Sequence, residues 1–157
     1  MISRRDCLKY SALAGLASVL PAGLLHAAHH QGLITRAIPK TGEKLPIVGL
    51  GSSASFRKLA ASDDTGQLRD VIKTLLDNGG TVFDTAPSYG ESERVAGEIV
   101  QKLDATEKIF WATKVNVVPR GGSTADADAA RAQIERSFDY IGKDPIDLIQ
   151  VHNLRDI

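Results

Sequence analysis

Three short apolar runs, each ending at a chemically active side chain, constrain this chain more than anything else in it. Val82-Phe83-Asp84 ends in an acid, and Ala86-Pro87-Ser88-Tyr89-Gly90 brings a phenol shortly after it. Ile109-Phe110-Trp111-Ala112-Thr113 ends at Lys114, and Asp147-Leu148-Ile149-Gln150-Val151 ends at His152. Helical stripes lie around and between these runs. Leu68, Val71, Ile72, Leu75 and Leu76 recur at i, i+3, i+4, i+7 and i+8. Val95, Ala96, Ile99, Val100 and Leu103 form a second stripe, and Ala127, Ala130, Ile134, Phe138 and Ile141 a third. Strands alternating with helices predict a parallel sheet covered by helices, and runs that are apolar throughout predict strands buried on both faces.

The punctuation agrees with this order. Ile34 to Ile38 and Leu45 to Val48 flank Thr41-Gly42, which reads as a small hairpin, and Ile47-Val48-Gly49-Leu50-Gly51 reads as a strand ending in a glycine turn. Asp63, Asp64 and Thr65 are capping candidates for the first helix, which Asn78-Gly79-Gly80 stops. Ser123 or Thr124 would cap the third helix, with Gly142 past its end and Asp144-Pro145 as a turn.

Four strands and three helices fit an open doubly wound sheet or a closed barrel. The open nucleotide-binding sheet wants a third glycine after its first strand, but Ser52-Ser53-Ala54 follows Gly49-Leu50-Gly51, and no phosphate-loop signature is present. A barrel gathers its reactive groups at the carboxyl ends of its strands, where Asp84, Lys114 and His152 fall. A complete barrel needs about 250 residues. The expected fold is therefore α/β: the amino-terminal half of a (β/α)8 TIM barrel with a short N-terminal hairpin, about four of eight strands over residues 29–157.

Residues 1–28 read separately. Ser3-Arg4-Arg5-Asp6-Cys7-Leu8-Lys9 precedes an apolar run from Tyr10 to Leu25, with small residues at Ala27 and Ala28. A charged start, an apolar middle and a small-residue end describe an export signal, and the paired arginines resemble the twin-arginine type. Cys7 stands where that type usually has Phe. A cleaved signal leaves a periplasmic protein with no stable membrane association and makes the twin-arginine export machinery a partner. The alternative is an uncleaved membrane anchor, although a span needs about 20 apolar residues and this run contains Gly15, Pro21 and Gly23. Cys7 is the single cysteine, so a mature chain would have no disulfide, catalytic thiol or thiolate metal site. His26, His29 and His30 read as a junction rather than a metal site, having no apolar framework to hold them. The formal net charge of zero, with no basic stripe, argues against a nucleic-acid partner.

The four groups suit proton transfer to oxygen. A free phenol is a poor acid at neutral pH, and a nearby ammonium favours its phenolate form. Lys114 would supply that field to Tyr89, Asp84 would orient Lys114, and His152 would fix a substrate oxygen. Protonating an oxygen on which negative charge builds fits hydride addition to a carbonyl. No side chain here carries a hydride, so that reaction requires a nicotinamide cofactor.

The segment Phe83-Asp84-Thr85-Ala86-Pro87-Ser88-Tyr89-Gly90-Glu91-Ser92-Glu93, continuing to Ala96-Gly97, resembles the first signature of the aldo-keto reductases. Ala112-Thr113-Lys114 and Val151-His152-Asn153 resemble the strand ends that carry that family's lysine and histidine. Thr81 replaces a common aromatic residue, and Glu93 falls one residue late for the strict pattern. The resemblance implies Tyr89 as proton donor, Lys114 and Asp84 as the groups that tune it, and His152 as the substrate-orienting group. It also implies a small carbonyl substrate and NADPH, with NADH as the alternative, near Gly51, Ser52 and Asp84. Most cofactor contacts in the family come from later strands. A chain that is only a fragment and holds no cofactor stably is therefore a second expectation. A third is a barrel enzyme that uses Lys114 in carbonyl chemistry without hydride transfer. Of the other residues, Trp111 is expected in the core, and Glu91 and Glu93 as first-turn acids favoured by the helix dipole. Arg94, Arg131 and Arg136 are expected on helix surfaces, and Asn153 either faces substrate or closes its loop.

Overall fold

The computed structural model describes residues 32–62, 64–119 and 121–153. The segment expected to be an export signal, Cys7, the three early histidines and Asp63 lie outside the described residues. An antiparallel hairpin opens the described chain, with β1 (Thr35–Ala37) paired to β2 (Lys44–Pro46) in the register Arg36↔Leu45. Gly42 turns it at a φ of 76°, a conformation open to glycine because it has no Cβ. The expected first strand is shorter than its apolar run: only β3 (Leu50–Gly51) pairs, and Ile47 and Val48 are exposed.

The rest alternates as expected, with one helix more than the sequence stripes disclosed. In order come α1 (Ala54–Ala60), α2 (Gly66–Asp77), β4 (Val82–Asp84), α3 (Ser92–Lys102), β5 (Phe110–Val115), α4 (Ala127–Ile141) and β6 (Leu148–Val151). Short 3₁₀ turns occupy Pro87–Tyr89 and Thr106–Lys108. Helix α1 is too short to show a repeating stripe, yet it buries Phe56 and Ala60. Capping also differs in detail. Helix α4 is capped by Asp126, whose Oδ1 accepts from the Ala129 N–H at 2.9 Å, not by Ser123 or Thr124. Ahead of α2, Asp64 Oδ1 accepts from the Gly66 N–H at 2.9 Å. Gly142 ends α4 in the left-handed conformation, as its position suggested.

Strands β3, β4, β5 and β6 form one parallel sheet in that order. Alternate side chains point to opposite faces of such a sheet. Phe83 and Trp111 are opposite one another in register and fully buried, and their rings lie 5.0 Å apart. Phe56 from α1 packs edge-on against Phe83 at 5.5 Å. Leu68 and Ile72 of α2, Val100 of α3 and Ile141 of α4 join the same core, so the helices cover this face. Edge-to-face pairs of this kind add about 0.5–1.5 kcal/mol beyond the area they bury. The opposite face, which carries Asp84, Phe110, Lys114 and Leu148, is only partly covered among the described residues, with Leu148 40% exposed.

Two contacts set the spacing of the helix layer and the sheet. Gly97 lets α3 approach α4 so closely that an added Cβ would overlap the Tyr140 carbonyl. At the amino end of β5, Asp147 Oδ2 accepts from the Trp111 N–H at 2.8 Å, while Lys143 Nζ bridges Asp147 and the Ile109 carbonyl. Among the described residues, no helix is long and apolar enough to cross a membrane.

Candidate active site

The register of β4 and β5 decides which side chains meet. Asp84 is opposite Ala112, and Lys114 lies one pleat further along the same face. Lys114 Nζ donates to Asp84 Oδ1 at 2.7 Å and to the Thr85 carbonyl at 2.9 Å. The lysine side chain is 15% exposed and the aspartate 43%, so the ammonium is held at the edge of solvent. The 3₁₀ turn after β4 brings Tyr89 back over the strand ends, with Lys114 Nζ 5.2 Å from the centre of its ring. On the other side, the His152 ring meets Tyr89 edge-on at 5.7 Å and 86°. The backbone N–H of His152 donates to the Val115 carbonyl at 2.8 Å, which ties the end of β6 to β5. Asp84, Tyr89, Lys114 and His152 therefore share one site at the carboxyl ends of three neighbouring strands.

The pair expected near a cofactor divides. Gly51 is exposed, with open space where a side chain would stand. Ser52 is fully buried: its N–H donates to the Asp84 carbonyl at 2.9 Å, and its own carbonyl accepts from Ser92 Oγ at 2.9 Å. Its backbone polar groups are thus already engaged in joining β3, β4 and α3.

Glu93 is the first-turn acid of α3, as expected, but its burial was not foreseen. Glu91 stands at the N-cap just before the helix and accepts from Arg94. Glu93 is 2% exposed and lies between the sheet and α4. Its Oε1 accepts from Thr113 Oγ1 at 2.5 Å and its Oε2 from Ser137 Oγ at 3.1 Å. Burial pushes its carboxyl above the usual range, against the two hydrogen bonds and the charge of Lys114, which act the other way. The sequence held a signal for this. Glu93, Ala96, Gly97 and Val100 recur at i, i+3, i+4 and i+7, which sets the acid on the buried stripe of α3 rather than beside it.

A polar chain unforeseen from sequence lies beyond Lys114. Asn116 donates from its backbone to Gln133 Oε1 at 2.7 Å and from its side chain to Ser88 Oγ at 3.0 Å. These three residues, with Asn153, Arg57 and Lys58, line an open cleft of about 1310 Å³ beside the Tyr89 turn. Asn153 has a φ of 64° and lines this cleft. Arg131 and Arg136 are exposed, and Trp111 is in the core, both as expected. Among the described residues, no group of acids, histidines or cysteines is arranged to hold a metal ion.

A parallel β/α sheet with an acid, a phenol, an amine and an imidazole converging at its strand ends defines a barrel-type protein with its reactive groups on the carboxyl face. Residues 47–156 match the model of the aldo/keto reductase family, and the chain belongs to that family. It is 31% identical over 121 residues to the aldo-keto reductase YhdN of Bacillus subtilis, covering 74% of this chain and 37% of that protein. It is 30% identical to the aldo-keto reductase str7 of Strobilurus tenacellus over 69% of this chain and 31% of that one. Among solved structures, a Pseudomonas aeruginosa protein assigned to the aldo-keto reductases aligns with a TM-score of 0.62 and 29% identity, over 77% of this chain and 46% of its own. An aldo-keto reductase of Klebsiella pneumoniae in complex with NADPH shares the fold, with a TM-score of 0.55 at 20% identity over 76% of this chain and 40% of its own. The chain thus spans less than half the length of these relatives.

Proposed function

We propose that this chain carries the proton-transfer side of an NAD(P)H-dependent reductase that converts aldehydes or ketones to alcohols. One observation carries the proposal: the Lys114 ammonium, fixed by Asp84 and the Thr85 carbonyl, stands 5.2 Å from the Tyr89 ring. A positive charge there stabilises the negative charge that Tyr89 acquires as its O–H proton passes to the substrate oxygen. His152, edge-on to the same ring, holds that oxygen beside the phenol. An ammonium engaged by a carboxylate and a carbonyl is not a free nucleophile, which disfavours the use of Lys114 in carbonyl chemistry without hydride transfer.

The exposed backbone at Gly51 and the solvent-facing part of the Asp84 carboxylate fit the ribose end of a nicotinamide nucleotide. When bound, the reduced nicotinamide supplies the hydride that adds to the carbonyl carbon. The carbon–oxygen double bond becomes single, and the oxygen takes its proton from Tyr89. NADPH is the nucleotide to test first, being the one bound in the Klebsiella pneumoniae structure that shares the fold. Titration of the full chain with NADPH, read as quenching of nucleotide fluorescence, tests this. Saturable quenching is expected, and its absence at high micromolar NADPH would overturn the reading in favour of a chain that binds no cofactor.

The proposal extends to residues 1–28 as a twin-arginine export signal and to the periplasm as the destination. Arg4-Arg5 ahead of the apolar run supports it. Replacing both arginines by lysine should leave the protein in the cytoplasmic fraction. Unchanged export would refute this part alone.

A further inference from the structure

Strand β5 carries Lys114 beyond the point where β4 stops. The register of the two strands ends at Asp84↔Ala112, and the Thr85 N–H donates to the Ala112 carbonyl at 2.9 Å just past it. From Thr113 to Val115, β5 pairs only with β6 among the described strands. On the β4 side of this stretch, side chains take over from the ladder. Toward the site, the Lys114 ammonium reaches Asp84 and the Thr85 carbonyl. Toward the helices, Thr113 Oγ1 donates to Glu93 Oε1. Glu93 is itself fixed, because Ser137 Oγ of α4 donates to its Oε2 at 3.1 Å. One turn earlier on α4, Gln133 Oε1 accepts from the Asn116 N–H at 2.7 Å. Helix α4 thus holds the end of β5 on both sides of Lys114, directly at Asn116 and through Glu93 at Thr113.

The buried polar residues gather here. Ser52, Thr85 and Thr113 follow the residues paired as Gly51↔Asp84↔Ala112, and Ser92, Glu93 and Ser137 come from the helices behind them. Glu93 is the one ionisable group among these six. Burying a charge is costly, whereas two carboxylate oxygens let one side chain accept from two elements at once. We propose that Glu93 is a positioning residue: through Thr113 it sets the end of β5 so that the Lys114 ammonium stays between Asp84 and Tyr89. The effect on rate rests on the reductase reading, and the effect on Lys114 does not. A displaced ammonium leaves the developing charge on Tyr89 without its counter-charge, so kcat and kcat/KM should fall together while KM holds.

The test uses the full chain with Thr113→Val, which keeps the branched shape and removes the hydroxyl, and Thr113→Ser, which restores it. Amine acetylation mapped by mass spectrometry reads Lys114 against Lys143. Lys143 is an internal control, 12% exposed to the 15% of Lys114, and likewise engaged by a carboxylate and a carbonyl, but at the amino end of β5. In Thr113→Val, Lys114 should label about tenfold faster, as the loss of one buried hydrogen bond implies, with Lys143 unchanged. The kcat for NADPH oxidation with butanal should fall about tenfold in the same variant. Thr113→Ser should match the parent in both readouts. Glu93→Asp, which draws the acceptor back by one methylene, should repeat the valine result and replaces it if that variant fails to fold. Unchanged labelling of Lys114, equal gains at Lys114 and Lys143, no rescue by serine, or a change in KM alone would overturn the proposal. So would selective labelling with kcat unchanged. A parent that does not oxidise NADPH sinks the reductase reading instead, and labelling alone then decides whether Glu93 positions Lys114.

Discussion

Thr113 Oγ1 donates a 2.5 Å hydrogen bond to the buried carboxylate of Glu93, one residue before the lysine that holds Asp84. Successive residues of a strand point to opposite faces. Strand β5 is therefore gripped from both sides, by Glu93 through Thr113 in the helix layer and by Asp84 through Lys114 at the site. Glu93 also accepts from Ser137, so one carboxylate ties β5 to α4. Glu93→Ala removes the acceptor of two buried hydroxyls and leaves a cavity. It should lower the unfolding free energy by about 2–4 kcal/mol in urea titration.

Glu93→Gln should change how stability depends on pH. Burial raises the folded carboxyl above its ordinary 4.5, so the folded state binds a proton more readily than the unfolded one. Below pH 4.5 both states are protonated and the group contributes no cost. As pH rises from there through the raised folded value, the charge must be buried and stability falls. Glutamine removes this slope, while the Thr113 and Ser137 hydroxyls can turn to suit it. Unfolding curves should show the variant gaining on the parent as pH increases, and a difference independent of pH would contradict this.

Tyr89→Phe keeps the ring between Lys114 and His152 and removes only the hydroxyl. On the proposed function, carbonyl reduction, followed as NADPH consumption, should fall by about 10²–10⁴-fold, the usual contribution of a positioned acid. The thermal midpoint should hardly move, because Tyr89 is partly exposed and the variant keeps the ring that Lys114 and His152 face.

Gly97→Ala tests the crossing of α3 over α4. Alanine is the better helix former, so an exposed helical glycine would gain stability from this change. Here the new methyl group would overlap the Tyr140 carbonyl, and backbone cannot swing aside. A loss of about 1–3 kcal/mol is expected from overpacking, measured by thermal or urea unfolding.

Much of the layer order was legible because it rests on local periodicity. The stripes of α2, α3 and α4 and the apolar runs of β4, β5 and β6 each repeat often enough to be read. Helix α1 was not legible, since its seven residues hold less than two full repeats and its burial depends on where Phe83 lies. The first strand was overread for the same reason: Ile47 and Val48 are apolar, but only pairing decides which apolar residues belong to the sheet. Ser52 shows the limit more sharply: it is a polar residue next to a motif, and only the packing of β3, β4 and α3 around it makes it buried.

The sequence by itself determined that Asp84, Lys114 and His152 stand at strand ends, with Tyr89 in the turn beyond one of them. Apolar runs set where strands stop, and residues at those stops gather at one end of any parallel sheet. It could not determine their contacts. The parallel register set Lys114 one pleat beyond the residue opposite Asp84, the 3₁₀ turn folded Tyr89 back over both, and β6 carried His152 to its edge. Apart from the short turn from Asp84 to Tyr89, those relations join residues 25 or more positions apart, as the Asp84–Lys114 pair does across 30. Local periodicity carries no information over such spans, and only tertiary packing makes the pairing.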